Sequence, residues 1–158
     1  MTISDVELTG IEVGDGSNRR MIAVRRRSGD GPALIWLGGF KSDMKGTKAE
    51  ALDRWAAEHR RACIRFDYSG HGESGGSFAD GTIGRWLEES RAVFSRFCTG
   101  PTIAIGSSMG GWISLLLARD IRNGLSGGKG SLTGLVLIAP AVDFTEVKLV
   151  SSGAIGEL

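Results

Sequence analysis

The sequence has few cysteines and no long apolar run. Two cysteines among 158 residues cannot form the framework of a small disulfide-stabilised domain, and we expect both Cys63 and Cys98 to be buried free thiols. No stretch approaches the roughly 20 consecutive apolar residues of a transmembrane helix, so we expect no membrane span. The N-terminus resembles neither a signal peptide nor a presequence. These absences predict a cytoplasmic protein in a reducing compartment.

An excess of charge of one sign is also lacking. Nineteen basic residues face eighteen acidic ones, for a net charge of +1, so we expect no nucleic-acid surface. The basic run Arg25–Arg27 alternates with apolar residues and is interpreted as a solvated strand face. Gly128-Lys129 is not a phosphate-binding loop, because Asn123 and Gly130 occupy its first glycine and its Ser/Thr positions. We therefore predict no nucleotide cofactor, and no metal or other cofactor.

The order of the predicted elements is typical of an α/β protein. Residues 6–13 and 21–24 alternate as a hairpin, and apolar strands follow at 33–37, 62–66, 102–105 and 135–139. Three helices separate these strands. Thr47 and Glu50 predict a capping box at the first, Thr82 caps the second, and Ser108 opens the third. The first helix is expected to bury one face, formed by Ala49, Leu52, Trp55 and Ala56. The alternation predicts a single domain, with a mainly parallel sheet and helices on both faces.

The motif with the clearest chemistry is Gly106-Ser107-Ser108-Met109-Gly110. It has the G-x-S-x-G pattern between a predicted strand and a predicted helix, which is the context of a nucleophile elbow. A direct turn from strand to helix strains the backbone of Ser108 and projects its hydroxyl above the sheet edge. We therefore predict that Ser108 is a catalytic nucleophile.

A second motif, Gly38-Gly39-Phe40, ends the third strand. Stabilising the oxyanion of acyl transfer requires two backbone amides, one after the nucleophile and one from the loop after the third strand. We predict that Met109 supplies the first N–H and Phe40 the second.

Three segments carry a resemblance to a known family. Arg65–Ser74, Gly46–Ala49 and Gly106–Trp112 resemble α/β hydrolases, in particular the branch of mitochondrial acyl-protein (palmitoyl-protein) thioesterases that also cleave acyl glucuronides, with their bacterial relatives. The resemblance runs from about Leu34 to Asp143. It implies hydrolysis of a carboxylic ester or thioester through an acyl-enzyme on Ser108. The substrate would be a small molecule or an acylated protein, and Phe40, Met109 and Trp112 suggest an apolar acyl site, although Trp112 fits a core position better.

The sequence contains no histidine after Ser108, where this fold places its catalytic base. His59 is expected at the opposite sheet edge, and His71 is expected to be structural, with a substitute base as the less favoured alternative. Asp143 is a candidate acid that the resembling branch would place later. Asp67 and Asp43 are interpreted as residues that hydrogen-bond within loops, with substrate contact as the second interpretation.

The last residues, about 146–158, carry no useful helix or strand pattern. The strand at 135–139 would be left as an exposed apolar edge, so we expect a C-terminally truncated chain. An alternative therefore stays open: a catalytically inactive α/β-hydrolase fragment without the triad acid and histidine. The sequence predicts no oligomeric state.

Overall fold

The structure is a computed structural model that describes residues 6–142. Within that range the chain forms six strands, three α-helices and two short 3₁₀ turns at Gly16–Asn18 and Phe78–Asp80. The bounds are β1 Val6–Val13, β2 Arg20–Arg27, β3 Asp30–Leu37, α1 Thr47–Glu58, β4 Arg61–Phe66, α2 Ile83–Phe97, β5 Pro101–Ser107, α3 Met109–Arg122 and β6 Ser131–Ile138. No helix in this range is both long and apolar enough to span a bilayer.

The strands form one mixed sheet in the order β1-β2-β4-β3-β5-β6. The predicted N-terminal hairpin is confirmed: β1 and β2 pair antiparallel, and β2 also runs antiparallel to β4. The other strand pairs are parallel. The carboxyl ends of β3, β4 and β5 therefore meet at one edge, where parallel α/β sheets bind their ligands. The predicted α/β architecture is confirmed.

The helices cover both faces of the sheet, as predicted. The larger core packs α2 and α3 against one face, with Trp86, Phe94, Ile113 and Leu117 among its buried side chains. The smaller core packs α1 against the other face through Ala49 and Ala56. Both cysteines are buried free thiols, as expected, and burial raises the pKa of each to about 12.

A buried ion cluster also attaches α1 to the sheet. Asp53 of α1 accepts hydrogen bonds from Arg27 of β2 at 3.0 and 2.8 Å, and Arg65 of β4 lies 3.5 Å from the same carboxylate. Arg27 is only 8% exposed, so the interpretation of 25–27 as a wholly solvated face is wrong at that position. Asp53 also takes the buried place expected for Trp55, which is 45% exposed and stacks on His59.

The predicted capping box at α1 is wrong. Gly46 is the N-cap, no side chain caps the helix, and Thr47 is the first helical residue. The physical reason lies in Glu50, whose carboxylate pairs with Arg65 at 3.2 Å and does not return to the helix start. At α2, by contrast, the hydroxyl of Thr82 accepts the predicted bond from the Arg85 amide at 3.1 Å.

In the described part of the chain, β6 pairs with β5 alone. Its sequence has the apolar character of a fully buried strand, but Leu135 and Val136 are 36% and 48% exposed. These residues form the apolar edge that the sequence predicts.

Candidate active site

Ser108 lies at the junction of β5 and α3, in a backbone conformation that few residues adopt. Its φ is 54° and its ψ is −119°, a combination that costs about 1–3 kcal/mol and persists only where the surroundings enforce it. Here they do: the Ser108 N–H donates to the Ile138 carbonyl at 3.0 Å, and the Ser108 carbonyl accepts from the amides of Gly111 and Ala141 at 2.9 and 3.0 Å. Ser108 is exposed, whereas every other residue from 104 to 111 is buried.

Two glycines allow this turn to pack. A Cβ on Gly106 would lie 2.4 Å from the Gly110 carbonyl oxygen, and a Cβ on Gly110 would lie 2.0 Å from the Leu37 carbonyl oxygen. The start of α3 therefore rests directly on the end of β3. The contact brings the segment after β3 to the serine, because a Cβ on Gly39 would lie 3.5 Å from the Cβ of Ser108.

The segment between β3 and α1, residues 38–46, is called the β3 loop. It begins with a turn in which the Ser42 amide donates to the Gly39 carbonyl at 3.1 Å. Lys41 within this turn has a φ of 60°, in the left-handed region that costs a side-chain-bearing residue about 1–2 kcal/mol. The Phe40 amide belongs to the peptide whose carbonyl accepts from Ser42, so its direction is set by the turn.

The three residues predicted from the sequence lie at one edge of the sheet. Phe40 and Ser108 border the same cavity, and Met109 is the first residue of α3. Amides in the first turn of a helix lack intrahelical acceptors and lie at the positive end of the helix dipole. The arrangement provides an exposed hydroxyl beside backbone N–H groups that favour negative charge.

The cavity beside Ser108 has a volume of about 460 Å³. The wall combines polar and apolar residues. Of the three residues expected to form an apolar acyl site, Phe40 lines the cavity, whereas Met109 is fully buried and neither Met109 nor Trp112 lines it. The wall is formed by the start of α1, the β3 loop and the elbow: Trp36, Gly39, Phe40, Ser42, Asp43, Gly46, Thr47, Lys48, Ala49, Ser107, Ser108 and Ala141.

Neither histidine is placed to activate Ser108. His71 is buried, its Nδ1 lies 3.0 Å from the Ser69 carbonyl, and its Nε2 accepts the Lys41 N–H at 3.1 Å. Both ring nitrogens are thus occupied by the backbone, which supports the structural interpretation over the substitute base. His59 caps the C-terminus of α1, directly before β4 and therefore at the opposite edge of the sheet, as expected.

The aspartates near this edge hold loops. Asp67 is 2% exposed, and its carboxylate accepts from the amides of Met44 and Glu73 at 2.7 and 2.9 Å. Burial raises the pKa of Asp67 above its usual value despite these two bonds. Asp43 accepts from the Lys45 amide at 2.8 Å and also lines the cavity. Asp143 lies outside the described residues.

Tyr68 also holds the β3 loop, a role that the sequence did not indicate. Its buried hydroxyl donates to the Gly38 carbonyl at 3.0 Å, and burial raises the pKa of this phenol, so the donor keeps its proton. Tyr68 is the only tyrosine of the chain, but nothing in its local pattern indicates a partner 30 residues earlier.

A serine elbow at the end of a parallel strand, beside the loop of the neighbouring strand, is typical of α/β hydrolases. The chain belongs to the alpha/beta hydrolase family, which it matches over residues 21–156.

Several relatives carry a more specific name. Palmitoyl-protein thioesterase ABHD10, mitochondrial, of Bos taurus is 39% identical over 124 residues, which is 77% of this chain and 38% of that protein. The Homo sapiens protein is 39% identical over 94 residues, 60% of this chain and 31% of the relative. The chain thus spans about a third of the length of these curated relatives.

Solved structures show the same similarity. A proposed hydrolase from Agrobacterium vitis S4 is 50% identical and superposes with a TM-score of 0.84, over 89% of this chain and 54% of that one. Alpha/beta hydrolase domain-containing protein 10 from mouse is 30% identical with a TM-score of 0.78, over 96% of this chain and 57% of that one.

Proposed function

We propose that this chain carries the nucleophile of a serine hydrolase that cleaves a carboxylic ester or a thioester. The Ser108 hydroxyl oxygen adds to the acyl carbon and gives its proton to a base. The C–O or C–S bond then breaks, and the leaving alcohol or thiol takes up a proton. Water adds to the acyl-enzyme in the second half of the cycle, which releases the carboxylic acid and restores the serine.

The observation that carries this proposal is the conformation of Ser108. Glycine adopts a positive φ without strain, so the turn alone does not require a serine at a φ of 54°. The chain keeps a strained serine at the one exposed position between Ala104 and Gly111. Strain of this kind concentrates at functional sites, where the position of one side chain is what the fold maintains.

We propose that the amides of Phe40 and Met109 bind the oxyanion of the tetrahedral intermediate. A preorganised donor of this kind contributes about 3–4 kcal/mol to the transition state. A Cβ on Gly39 would lie 3.5 Å from the Cβ of Ser108, so the β3 loop lies beside the serine, which supports the first assignment. The place of Met109 at the start of α3 supports the second.

The leaving group or acyl chain would enter the 460 Å³ cavity between α1 and the elbow. The thioesterase names of the relatives favour a thioester, and the cavity has room for a short acyl chain or a compact leaving group. A substrate with an apolar acyl part and a polar leaving group fits a wall that contains both aromatic rings (Trp36, Phe40) and charged side chains (Asp43, Lys48).

The positions of the two histidines favour a second function. Both nitrogens of His71 are bonded to backbone and His59 lies at the other edge, so neither histidine offers Ser108 a base. The alternative is a chain that binds acyl compounds at the elbow with little turnover. Removing a member of a catalytic triad can still leave about a 10³-fold acceleration from the oxyanion amides and binding, so the two functions differ in rate.

The test is labelling by a fluorophosphonate probe, followed by mass spectrometry of the modified peptide. We expect a phosphonyl adduct on Ser108 that forms faster when free imidazole is added as a base. Ser108→Ala should abolish the adduct. Ser107→Ala is the matched control, because Ser107 lines the same cavity and is 7% exposed; we expect it to label at about the wild-type rate.

Turnover is followed with an S-acyl thioester, by trapping the released thiol. A Ser108-dependent release that imidazole accelerates supports hydrolysis. Labelling no faster than that of a serine peptide, with imidazole present, would refute the catalytic proposal. Saturable binding of a fatty acid under those conditions would support the alternative.

A further inference from the structure

The β3 loop is held by side chains from β4 and from the segment that follows it, residues 67–82, called the β4 loop. Tyr68 donates to the Gly38 carbonyl at 3.0 Å, His71 accepts from the Lys41 amide at 3.1 Å, and Asp67 accepts from the Met44 amide at 2.7 Å. The peptide that carries the Phe40 amide thus lies between two peptides that are bonded to the β4 loop.

The hydrogen bond that His71 accepts differs from the others because its donor, the Lys41 N–H, lies inside the strained turn. Lys41 has a φ of 60°, which a lysine adopts only when something compensates its cost. Its N–H donates to the imidazole, and the Gly39 carbonyl across the turn accepts from Ser42. Without His71 the Lys41 amide would lose the only acceptor that the described residues place on it, and the turn could relax.

The neighbours of the ring determine its protonation. The Ser69 carbonyl can only accept a hydrogen bond, so Nδ1 must carry a proton, and the Lys41 amide can only donate, so Nε2 must present a lone pair. Only the neutral ring with its proton on Nδ1 satisfies both contacts. An imidazolium also carries a proton on Nε2, and this N–H would face the N–H of Lys41, so neither could accept.

The ring is also fixed in orientation. It packs edge-on against Tyr68 and Trp86, with centroid distances of 5.7 and 5.2 Å, and lies 5.4 Å from Phe78. Its anchor, Ser69, is fully buried and bonds through both its amide and its hydroxyl to the buried carboxylate of Glu89, at 2.7 and 2.6 Å. The Ser69 carbonyl also accepts from the Trp86 indole at 3.2 Å.

We propose that His71 is a positioning residue for the β3 loop: its neutral imidazole, protonated on Nδ1, accepts the Lys41 N–H and thereby fixes the strained turn that carries the Phe40 amide. The role of that amide in catalysis rests on the proposed function above. The geometric part of the inference, that His71 holds the turn, is independent of any activity.

The first experiment reads the tautomer from the ¹⁵N shifts of a protein labelled at histidine. The chain has two histidines, so His59→Gln assigns the spectrum. We expect the His71 signals of a neutral ring with its proton on Nδ1 at neutral pH. A ring protonated on Nε2 would overturn the inference.

The second experiment measures amide hydrogen exchange at Lys41 in three variants. His71→Phe keeps an aromatic ring but removes the acceptor, and we expect Lys41 exchange to rise about 5-fold or more, as loss of one hydrogen bond predicts. His71→Gln offers an oxygen near the position of Nε2 and should restore most of the protection. His59→Phe, at the opposite edge of the sheet, should leave the exchange rate of the Lys41 amide unchanged. Unchanged exchange in His71→Phe would overturn the inference.

The third readout links the loop to reactivity. In the fluorophosphonate assay, His71→Phe should lower the maximal rate of Ser108 modification about 10-fold, because a displaced oxyanion donor contributes little. The concentration of probe that gives half the maximal rate should change little, and His71→Gln should recover the rate. Equal labelling rates in all three proteins would refute the link to catalysis. If the wild-type protein does not label at all, the proposed function fails. The tautomer of His71 and the hydrogen exchange of the Lys41 amide still decide whether His71 holds the turn. If His71→Phe does not fold, the tautomer of the wild-type ring and the Lys41 exchange rate in His71→Gln decide the same question.

Discussion

Glu89→Ala tests how much the buried ion pair behind the β4 loop contributes to stability. The Glu89 carboxylate is fully buried and accepts from Arg20 Nε at 2.9 Å and from the amide and hydroxyl of Ser69. Removing one partner of a buried ion pair costs about 3–5 kcal/mol, because the other charge stays buried. The orphaned Ser69 amide adds to that cost, so we expect a loss of about 4 kcal/mol or more in the free energy of unfolding.

The adjacent residue provides a matched control. Glu88 also contacts Arg20, at 3.2 Å, but its side chain is 45% exposed, and pairs of that kind contribute less than about 1 kcal/mol. In urea, with a slope of about 2 kcal/mol/M, Glu89→Ala should lower the midpoint by about 2 M and Glu88→Ala by less than about 0.5 M. Similar midpoints for the two variants would refute the argument. Combining Glu89→Leu with Arg20→Met should recover part of the loss, since an apolar pair removes the stranded charge.

Two further predictions concern the elbow and the surface. Gly110→Ala should destabilise the protein by at least about 2 kcal/mol in the same urea assay, because its Cβ would lie 2.0 Å from the Leu37 carbonyl oxygen of β3. Gly84→Ala in the first turn of α2, where the nearest atom is 3.9 Å away, should be neutral or stabilising. Equal losses of stability in the two variants would contradict the packing argument. Hydrogen bonds from Arg25 and then Lys45 lower the pKa of Glu73 from 4.5 to about 2. Its stabilising contribution should therefore be complete above about pH 4.5 and be lost as the pH falls towards 2. A ¹³C carboxyl titration should show this low pKa in the wild type and a value closer to normal in Arg25→Met, and matching titrations would contradict the assignment.

The sequence predicted the elements well because its local patterns agree with the tertiary structure. Apolar strands alternate with amphipathic helices, and every strand and helix was found within a few residues of its predicted position. The elbow at Ser108 was predictable for the same reason: the strand, the two glycines and the helix that it needs are contiguous in the chain.

The errors arose where a polar side chain found a distant partner. Trp55 was expected in the core, but two buried arginines of the sheet draw Asp53 inward, and the helix rotates its apolar residue outward. Glu50 forms an ion pair with Arg65 and does not form the predicted capping box. Periodicity counts apolar residues and carries no information about charges on the facing sheet.

The bonds between the two loops were also beyond prediction. His71 was correctly interpreted as structural, but its partner Lys41 is 30 residues away, as is the Gly38 partner of Tyr68. Single hydrogen bonds across that separation leave no pattern in a sequence. They follow only from the adjacency of β3 and β4 in the sheet.

The two walls of the cavity beside Ser108 differ in how firmly they are held. One wall, the β3 loop, is hydrogen-bonded to the β4 loop at several points, so substitutions there would also disturb the segment beside Ser108. The opposite wall comes from the first turn of α1, where Thr47 and Lys48 are exposed and no side chain caps the helix. Variation at those two positions can alter which molecules fit while leaving the elbow intact. The first turn of α1 is therefore the part of the cavity wall in which substitutions would change the shape of the cavity at the least cost to the fold.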